Sequence, residues 1–210
     1  MRKFIIAFGI ILYLVSMQSC VSTTAFQTAR VTEAGDYGYS GGILLPNYSY
    51  EGSGEDLKTD YEFPAVDLRA RYGLINNLDV GGHISLIGSS GLDVKYQYYG
   101  DSESLLAAAA GFDISYLSID TNGETAYQSI DYTIPLYFSI HPSEFLGIYL
   151  SPRYSYRNIS IGNGSFIGAV GGVRIGKRVA GFVEYAFMAS TNNNWSDHTQ
   201  LNIGIGVGIN

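Results

Sequence analysis

The chain has little charge and a single cysteine. Lysine, arginine, aspartate and glutamate make up only 15% of the 210 residues, too small a share for an ordinary cytosolic domain. Cys20 is the one cysteine, so no disulfide can form within the chain. The formal net charge of −7 argues against nucleic acid as a partner. Mean hydropathy is +0.08, far below that of a helical membrane protein.

The chain is instead rich in small and aromatic residues, with 26 Gly, 18 Tyr and 10 Phe. From about residue 36 onward, apolar and polar residues alternate in runs of roughly ten to twelve, broken by short polar or glycine-rich turns. In the last run an aliphatic face, Leu201, Ile203, Ile205, Val207 and Ile209, alternates with an almost bare one, Asn202, Gly204, Gly206, Gly208 and Asn210. The pattern predicts an all-β fold. We expect a closed antiparallel transmembrane β-barrel of about ten strands, with eight or twelve as alternatives.

The lengths of the connections support this strand count. Predicted strands lie at about 36–46, 60–73, 77–88, 91–99, 104–118, 127–140, 144–158, 163–175, 178–190 and 199–209. Short turns at 75–77, 100–103, 141–143 and 176–177 alternate with mostly longer connections at 47–59, 118–126, 159–162 and 191–198. Barrels of this kind place short turns in the periplasm and long loops outside. An even strand number then predicts that both the N- and the C-terminus are periplasmic.

The N-terminus has the pattern of a signal peptide. Arg2 and Lys3 precede an apolar stretch at 4–15 that is too short to span a membrane as a helix. Ser19 directly before Cys20 resembles the lipobox of bacterial lipoproteins, in which the cysteine is lipidated after cleavage. Ordinary cleavage further on, for example after Ala25, is the alternative. We predict a signal peptide over 1–19, a lipidated leader over 20–35 and a barrel over 36–210, with the Cys20 lipid in the inner leaflet.

Nearly all the strand charges fall opposite the aliphatic face. An Arg or Lys facing lipid at the bilayer midplane costs about 2–4 kcal/mol, so the charged face should line the lumen. Mixed signs at similar depths predict ion pairs across that lumen. The predicted lumen charge network consists of Asp67, Arg69, Arg71, Asp79, His83, Asp93, Lys95, Asp113, Asp131, Arg153, Arg157, Arg174 and Glu184.

A strand, tight turn and strand over 71–82, with the sequence RYGLINNLDVGG, followed by DVKY at 93–96, carries a family resemblance. These segments resemble the small outer-membrane β-barrel proteins of diderm bacteria, and the likeness extends over about residues 36–210. It implies a bacterial outer-membrane location, with outer-membrane lipid and the barrel-assembly machinery as partners. It concerns architecture and leaves activity and oligomeric state open.

Two His-x-Ser pairs raise the question of lipid-modifying chemistry, which some small outer-membrane barrels perform with such a pair and a later Glu. His83-Ile84-Ser85 points both polar side chains to the predicted lumen, away from membrane acyl chains, and no Glu follows at the corresponding spacing. His141-Pro142-Ser143 falls in a predicted turn. We therefore expect no enzymatic activity, no catalytic residue and no cofactor.

No metal site is predicted from the spacing of His, Asp and Glu. The three histidines lie far apart in sequence. An acidic group in the first outer loop lacks the fixed ligand spacing of a calcium site, so a solvated loop is the better interpretation. Its members are Glu51, Glu55, Asp56 and Asp60.

The expected barrel size bounds the function. About ten strands enclose a lumen that side chains can nearly fill, whereas wide aqueous channels need about sixteen. We therefore do not expect a general porin. We expect a structural or surface-interaction role. The alternatives are a narrow conduit for a small solute or hydrophobic molecule and, with less support, a lipid-modifying enzyme.

Overall fold

The computed structural model describes residues 24–50, 64–86, 88–121, 124–159, 162–191 and 198–209. Over these residues, ten antiparallel strands form a closed barrel, because each strand pairs with its neighbours along the chain and β1 pairs with β10. The strands are β1 Tyr37–Tyr50, β2 Ala65–Ile75, β3 Leu78–Ser85, β4 Ser89–Tyr99, β5 Leu106–Thr121, β6 Glu124–Ser143, β7 Leu146–Ile159, β8 Gly162–Gly176, β9 Val179–Ser190 and β10 His198–Ile209. The predicted fold class and strand number are confirmed.

The barrel has two unlike ends. We call the end with the turns after β2, β4, β6 and β8 the turn end, and the opposite end the loop end. At the loop end, β1 reaches Tyr50 and pairs with His198, and β5 and β6 pair up to Thr121 and Glu124. The sequence had placed these residues in the connections at 47–59, 118–126 and 191–198, which was wrong. Hydropathy marks only the apolar belt, whereas ladder hydrogen bonds continue wherever backbone groups can pair. The acidic group at 51–60 lies outside the described residues.

The outside of the barrel is an apolar belt. On β10, Ile203, Ile205 and Val207 are 46%, 64% and 56% exposed. Similar Ile, Leu, Phe and Tyr side chains cover the outside of the other strands. An apolar surface this continuous is suited to lipid and unsuited to water.

Among the described residues, no helix is long and apolar enough to cross a membrane.

The chain before β1 lies inside the barrel. Residues 24–32, which we call the plug segment, run from the middle of the lumen toward the turn end, and Ala25, Phe26 and Ala29 are at most 1% exposed. Residues 33–36 then connect to β1 at the turn end, where the Gly35 N–H donates to the Gly73 carbonyl at 2.9 Å. Gly35 has φ +87°, a conformation that glycine adopts without strain. Part of the leader predicted over 20–35 thus fills the lumen, a placement that the sequence pattern alone did not predict.

The bare face of β10 now has a physical explanation. Gly204 and Gly206, with Gly42 of β1, form a side-chain-free surface against which the Phe26 ring packs. A Cβ on these glycines would lie 3.0, 2.8 and 2.5 Å from a ring atom of Phe26. Phe182 completes the pocket with an edge contact, its centroid 6.3 Å from that of Phe26. The glycines thus leave the volume that a residue of the plug segment occupies.

Candidate functional site in the barrel lumen

Glu184 on β9 holds the inner part of the plug segment. The N–H groups of Ala25 and Phe26 donate to its two carboxylate oxygens at 2.9 and 2.5 Å. Tyr149 adds a hydroxyl donor at 2.5 Å. Phe26 has φ +42°, and this left-handed conformation turns two successive N–H groups toward one anion. A bulky residue in this region is strained by about 1–3 kcal/mol, so the carboxylate and the ring pocket must over-determine it.

Lys95 on β4 holds the middle of the plug segment. Its ammonium donates to the Gln27 side-chain oxygen at 3.1 Å and to the carbonyls of Thr28 and Arg30 at 3.2 and 2.9 Å. Lys95 is 1% exposed, and its charge lies 3.7 Å from the Asp79 carboxylate. All three ammonium protons are therefore directed at the plug segment. The segment therefore supplies the hydrogen-bond acceptors of a buried cation whose ion-pair partner is Asp79.

Further hydrogen bonds join the plug segment to several strands around the wall. At its inner end, Thr24 donates to Asp67 and accepts from Arg69. Farther along, Gln27 donates to the Tyr137 hydroxyl at 3.0 Å and the Ala29 N–H to the Ser139 hydroxyl at 3.2 Å. The N–H group of Val31 donates to the Gln97 side chain, and that of Thr32 donates to the Asp79 carboxylate, each at 2.9 Å. The segment is thus tied to β2, β3, β4, β6 and β9.

The turn between β4 and β5 supports the outer part of the segment. Arg30 donates to the carbonyl of Ser104 at 2.7 Å. Asp101 orders this turn by accepting from the Ser104 hydroxyl and from the N–H groups of Glu103 and Ser104, and these bonds hold the pKa of Asp101 below its ordinary value.

The predicted lumen charges lie on the inner face, and several form ion pairs. Arg71 bridges Asp79 at 2.5 Å and Asp93 at 2.6 Å. On the opposite part of the wall, Arg157 contacts Asp131 at 2.8 Å. Arg174 lies at the turn end, where it donates to the carbonyls of Gly176 and Lys177. Arg153 donates to the Ser151 hydroxyl at 3.4 Å. Among the described residues, the ion pairs named here fall on two parts of the wall, β2–β5 and β6–β7.

His83, Asp93 and Asp113 meet on the neighbouring strands β3, β4 and β5. One ligand-type atom from each lies within 4.8 Å of the others. The His83 Nδ1 is 3.4 Å from the Asp113 Oδ2, and its Nε2 is 3.3 Å from the Ser115 hydroxyl. Sequence spacing did not reveal this group, because barrel register brings together residues ten to thirty positions apart.

Neither His-x-Ser pair is coupled as a catalytic pair would be. The Ser85 hydroxyl lies 3.4 Å from the Val66 carbonyl, while His83 faces Ser115. His141 contacts Ser139 at 2.9 Å. Ser115 and His83 face Asp113 in an order that resembles a nucleophile triad. However, the Ser115 proton is donated to Asp113 at 2.5 Å, and Ser115 is 2% exposed. This geometry gives the hydroxyl no base and no access to a substrate.

The lumen also holds large apolar side chains that the sequence analysis did not name, including Tyr137, Tyr149, Phe166, Phe182 and Met188. Alternation alone places them inward, since each stands between two outward residues of its strand. The sequence pattern did not show which residues these side chains would pack against. The glycine run on β10, facing these large residues, was the one sequence sign of an occupant.

Similar folds occur among bacterial outer-membrane proteins. The attachment invasion locus protein Ail of Yersinia pestis aligns with a TM-score of 0.41 and 11% identity, over 84% of this chain and 98% of that one. The NanC porin aligns at 0.46 and 12%, over 80% and 99%. The translocator domain of the autotransporter NalP from Neisseria meningitidis aligns at 0.43 and 10%, over 100% and 96%. No protein-family model matches the chain, and no curated protein matches it in sequence. Likeness at this level concerns the kind of fold and carries no activity to this chain.

Proposed function

We propose that this protein is a non-conducting bacterial outer-membrane barrel that is closed by its own plug segment and has a structural or surface-interaction role. This proposal rests on the observation that residues 24–32 occupy the lumen and form hydrogen bonds with buried charged side chains of the wall. Lys95 and Glu184, each 1% exposed, both direct their hydrogen bonds at this segment. The apolar belt supports membrane insertion.

The plug segment argues against the narrow conduit. A solute path would have to displace Phe26 from its glycine pocket and break the bonds to Lys95 and Glu184 together. That path would give up the hydrogen bonds that the segment makes to both buried charges and the burial of the Phe26 ring. No described contact favours such an open state. The lumen also offers no coupled nucleophile for a lipid-modifying enzyme among the described residues, which supports a non-enzymatic role.

Conductance of the purified mature protein in planar bilayers tests the closed lumen. We expect no steady channel activity from the unaltered chain. The double variant Phe26→Ala, Glu184→Gln should open intermittently, because it loses both the ring and the carboxylate that hold residues 25–26. This variant shows that the assay can detect an open lumen. Steady conductance of the unaltered protein would contradict the proposal and favour the conduit.

We also propose that Cys20 is lipidated and that its lipid lies at the loop end of the barrel. Thr24 is bound to Asp67 on β2, eight residues from Ile75 at the turn end. Eight residues of a strand tilted by about 40° rise about 20 Å. Four residues separate Cys20 from Thr24, and an extended chain of that length spans at most about 14 Å. By this measure, the turn end is the farther of the two ends from Thr24.

The loop-end rim is much nearer to Thr24. Asp67 lies opposite Ser85, the last residue of β3, so among the described strands β2 and β3 end close to this level at the loop end. If the turn end is periplasmic, this geometry favours an outward N-terminus and a lipid in the outer leaflet. It opposes the periplasmic N-terminus and inner-leaflet lipid that the even strand number had predicted. The C-terminal strand still ends at the turn end with Ile209.

Mass and labelling experiments test the lipid and its side of the membrane. The intact mass should show acyl groups on an N-terminal cysteine; a mature chain starting at Phe26 without lipid would contradict lipidation. If the N-terminus faces outward, a Ser22→Cys variant should react with a membrane-impermeant maleimide on intact cells. The native Cys20 thiol does not interfere, because its lipid blocks it. The control Ser102→Cys, at the turn end, should react only after the outer membrane is permeabilised. Reaction of Ser22→Cys only after permeabilisation would overturn the outward N-terminus.

A further inference from the structure

We propose that His83, Asp93 and Asp113 form a binding site for one divalent cation of the zinc type in the lumen. These three side chains come from β3, β4 and β5, and one ligand-type atom of each lies within 4.8 Å of the others. Imidazole nitrogen with two carboxylate oxygens is a donor set that zinc accepts. The site is separate from the bonds that hold the plug segment.

The hydrogen bonds of Ser115 fix the state of the His83 ring. The Ser115 hydroxyl has one proton, which it donates to the Asp113 Oδ1 at 2.5 Å. Its contact of 3.3 Å with the His83 Nε2 must therefore have Nε2–H as the donor. In a neutral imidazole this leaves Nδ1 without a proton and with a free lone pair.

That lone pair faces a carboxylate. The His83 Nδ1 lies 3.4 Å from the Asp113 Oδ2 and makes no hydrogen bond to any described residue, although His83 is only 5% exposed. A positive charge between two electron-rich atoms that face each other in this way would stabilise both. The spacing matches a metal, because two ligands at about 2.1 Å from a tetrahedral zinc ion are about 3.4 Å apart.

The two carboxylates of the group also favour a cation. Asp93 and Asp113 are directly opposite each other in the β4–β5 pairing, an arrangement that is destabilising for like charges. Arg71 contacts Asp93 at 2.6 Å and Arg69 lies opposite His83 in the β2–β3 pairing, so these cations balance part of the negative charge. A divalent cation between Asp93 and Asp113 would relieve the repulsion of the two carboxylates directly.

Each proposed ligand is held in place by a second group. Arg71 donates to the Asp93 Oδ1 at 2.6 Å, and Ser115 contacts both Asp113 and His83. Metal ligands in proteins typically have such partners on the atoms that do not touch the metal. The Asp113 side chain is 16% exposed, more than that of His83 or Asp93, so a cation can approach from its side.

Calorimetric titration of Zn²⁺ into the metal-stripped mature protein in detergent tests the site. We expect one ion per chain. Binding should weaken at least tenfold in His83→Gln and in Asp113→Asn. The matched control His141→Gln removes a second buried lumen histidine, whose ring contacts Ser139, and should keep full binding. Faster gel migration before boiling confirms that each variant is folded.

A measurement on the unaltered protein keeps the test independent of variant folding. Nitrogen-15 NMR of the metal-free protein at neutral pH should show His83 as a neutral ring protonated at Nε2, with an Nδ1 signal that shifts on adding Zn²⁺. A doubly protonated His83 ring whose signals do not change on adding Zn²⁺ would mean that a proton lies between His83 and Asp113, which would overturn the proposal. Absence of binding at millimolar Zn²⁺ also overturns it. Undiminished binding in His83→Gln would mean an adventitious ion only.

Discussion

Replacing Phe26 with alanine tests how firmly the plug segment is docked. The Phe26 ring is 1% exposed, and its pocket is made by Phe182 and by glycine backbone. Removing a buried phenylalanine ring costs about 3–5 kcal/mol. The upper part of that range applies here, because the ladder between β1 and β10 holds Gly42 and Gly206 in place and prevents the pocket from collapsing.

The loss should fall on docking of the plug segment rather than on the barrel. The ring contacts wall residues, but the ten-strand hydrogen-bond ladder does not depend on it. Since about 1.4 kcal/mol corresponds to a factor of ten, the upper part of this range should raise the undocked fraction roughly a thousandfold or more. Phe145 offers a matched control, because it is an aromatic residue at a turn and is 62% exposed.

Hydrogen exchange followed by mass spectrometry measures this fraction directly. In Phe26→Ala, the amides of Ala29, Val31 and Thr32 should exchange much faster, while those of β6 stay protected. Phe145→Ala should leave both sets unchanged. Equal acceleration in the plug segment and in β6 would mean that the segment unfolds only with the whole barrel. Unprotected plug amides in the unaltered protein would refute the placement of this segment in the lumen.

Three further substitutions test other parts of the lumen. Gly206→Ala should lower the thermal midpoint, because the new Cβ would lie 2.8 Å from the Phe26 ring and from the Gly41 carbonyl. The control Gly181→Ala, whose Cβ meets nothing nearer than 3.9 Å, should leave the midpoint unchanged. Equal effects of the two substitutions would contradict the Phe26 pocket. Arg71→Leu should cost about 3–5 kcal/mol in urea unfolding, since Asp79 and Asp93 both lose a buried partner. The control Lys177→Leu, in an exposed pair with Glu144, should change nothing measurable, and a similarly small effect of Arg71→Leu would indicate a wet lumen. Lys95→Met should speed hydrogen exchange of the plug-segment amides, because three oxygens of that segment lose their hydrogen-bond donor. Unchanged exchange would show that Lys95 does not hold the plug segment.

The amino-acid sequence alone determined the architecture. Period-two alternation is a local property, because successive side chains of a strand point to opposite faces whatever the rest of the chain does. The alternation therefore places Ile205 and Val207 outward, and Glu184 and Lys95 inward. Turn-forming residues divided the chain into ten strands for the same local reason. The strand ends escaped prediction, both at the loop end and at 141–143 of β6, because no continuous apolar face marks them.

The occupant of the lumen was decided by tertiary structure. Residues 24–32 carry no strand periodicity, and their partners lie 43 to 159 positions away in sequence, as the bonds from Thr24 to Asp67 and from Ala25 to Glu184 illustrate. The meeting of His83 with Asp113 likewise depends on the register of three strands. Register and barrel closure set which side chains share a depth, and these are properties of the paired strands together. Local pattern gives each residue its face, whereas closure of the barrel gives it its neighbours across the lumen.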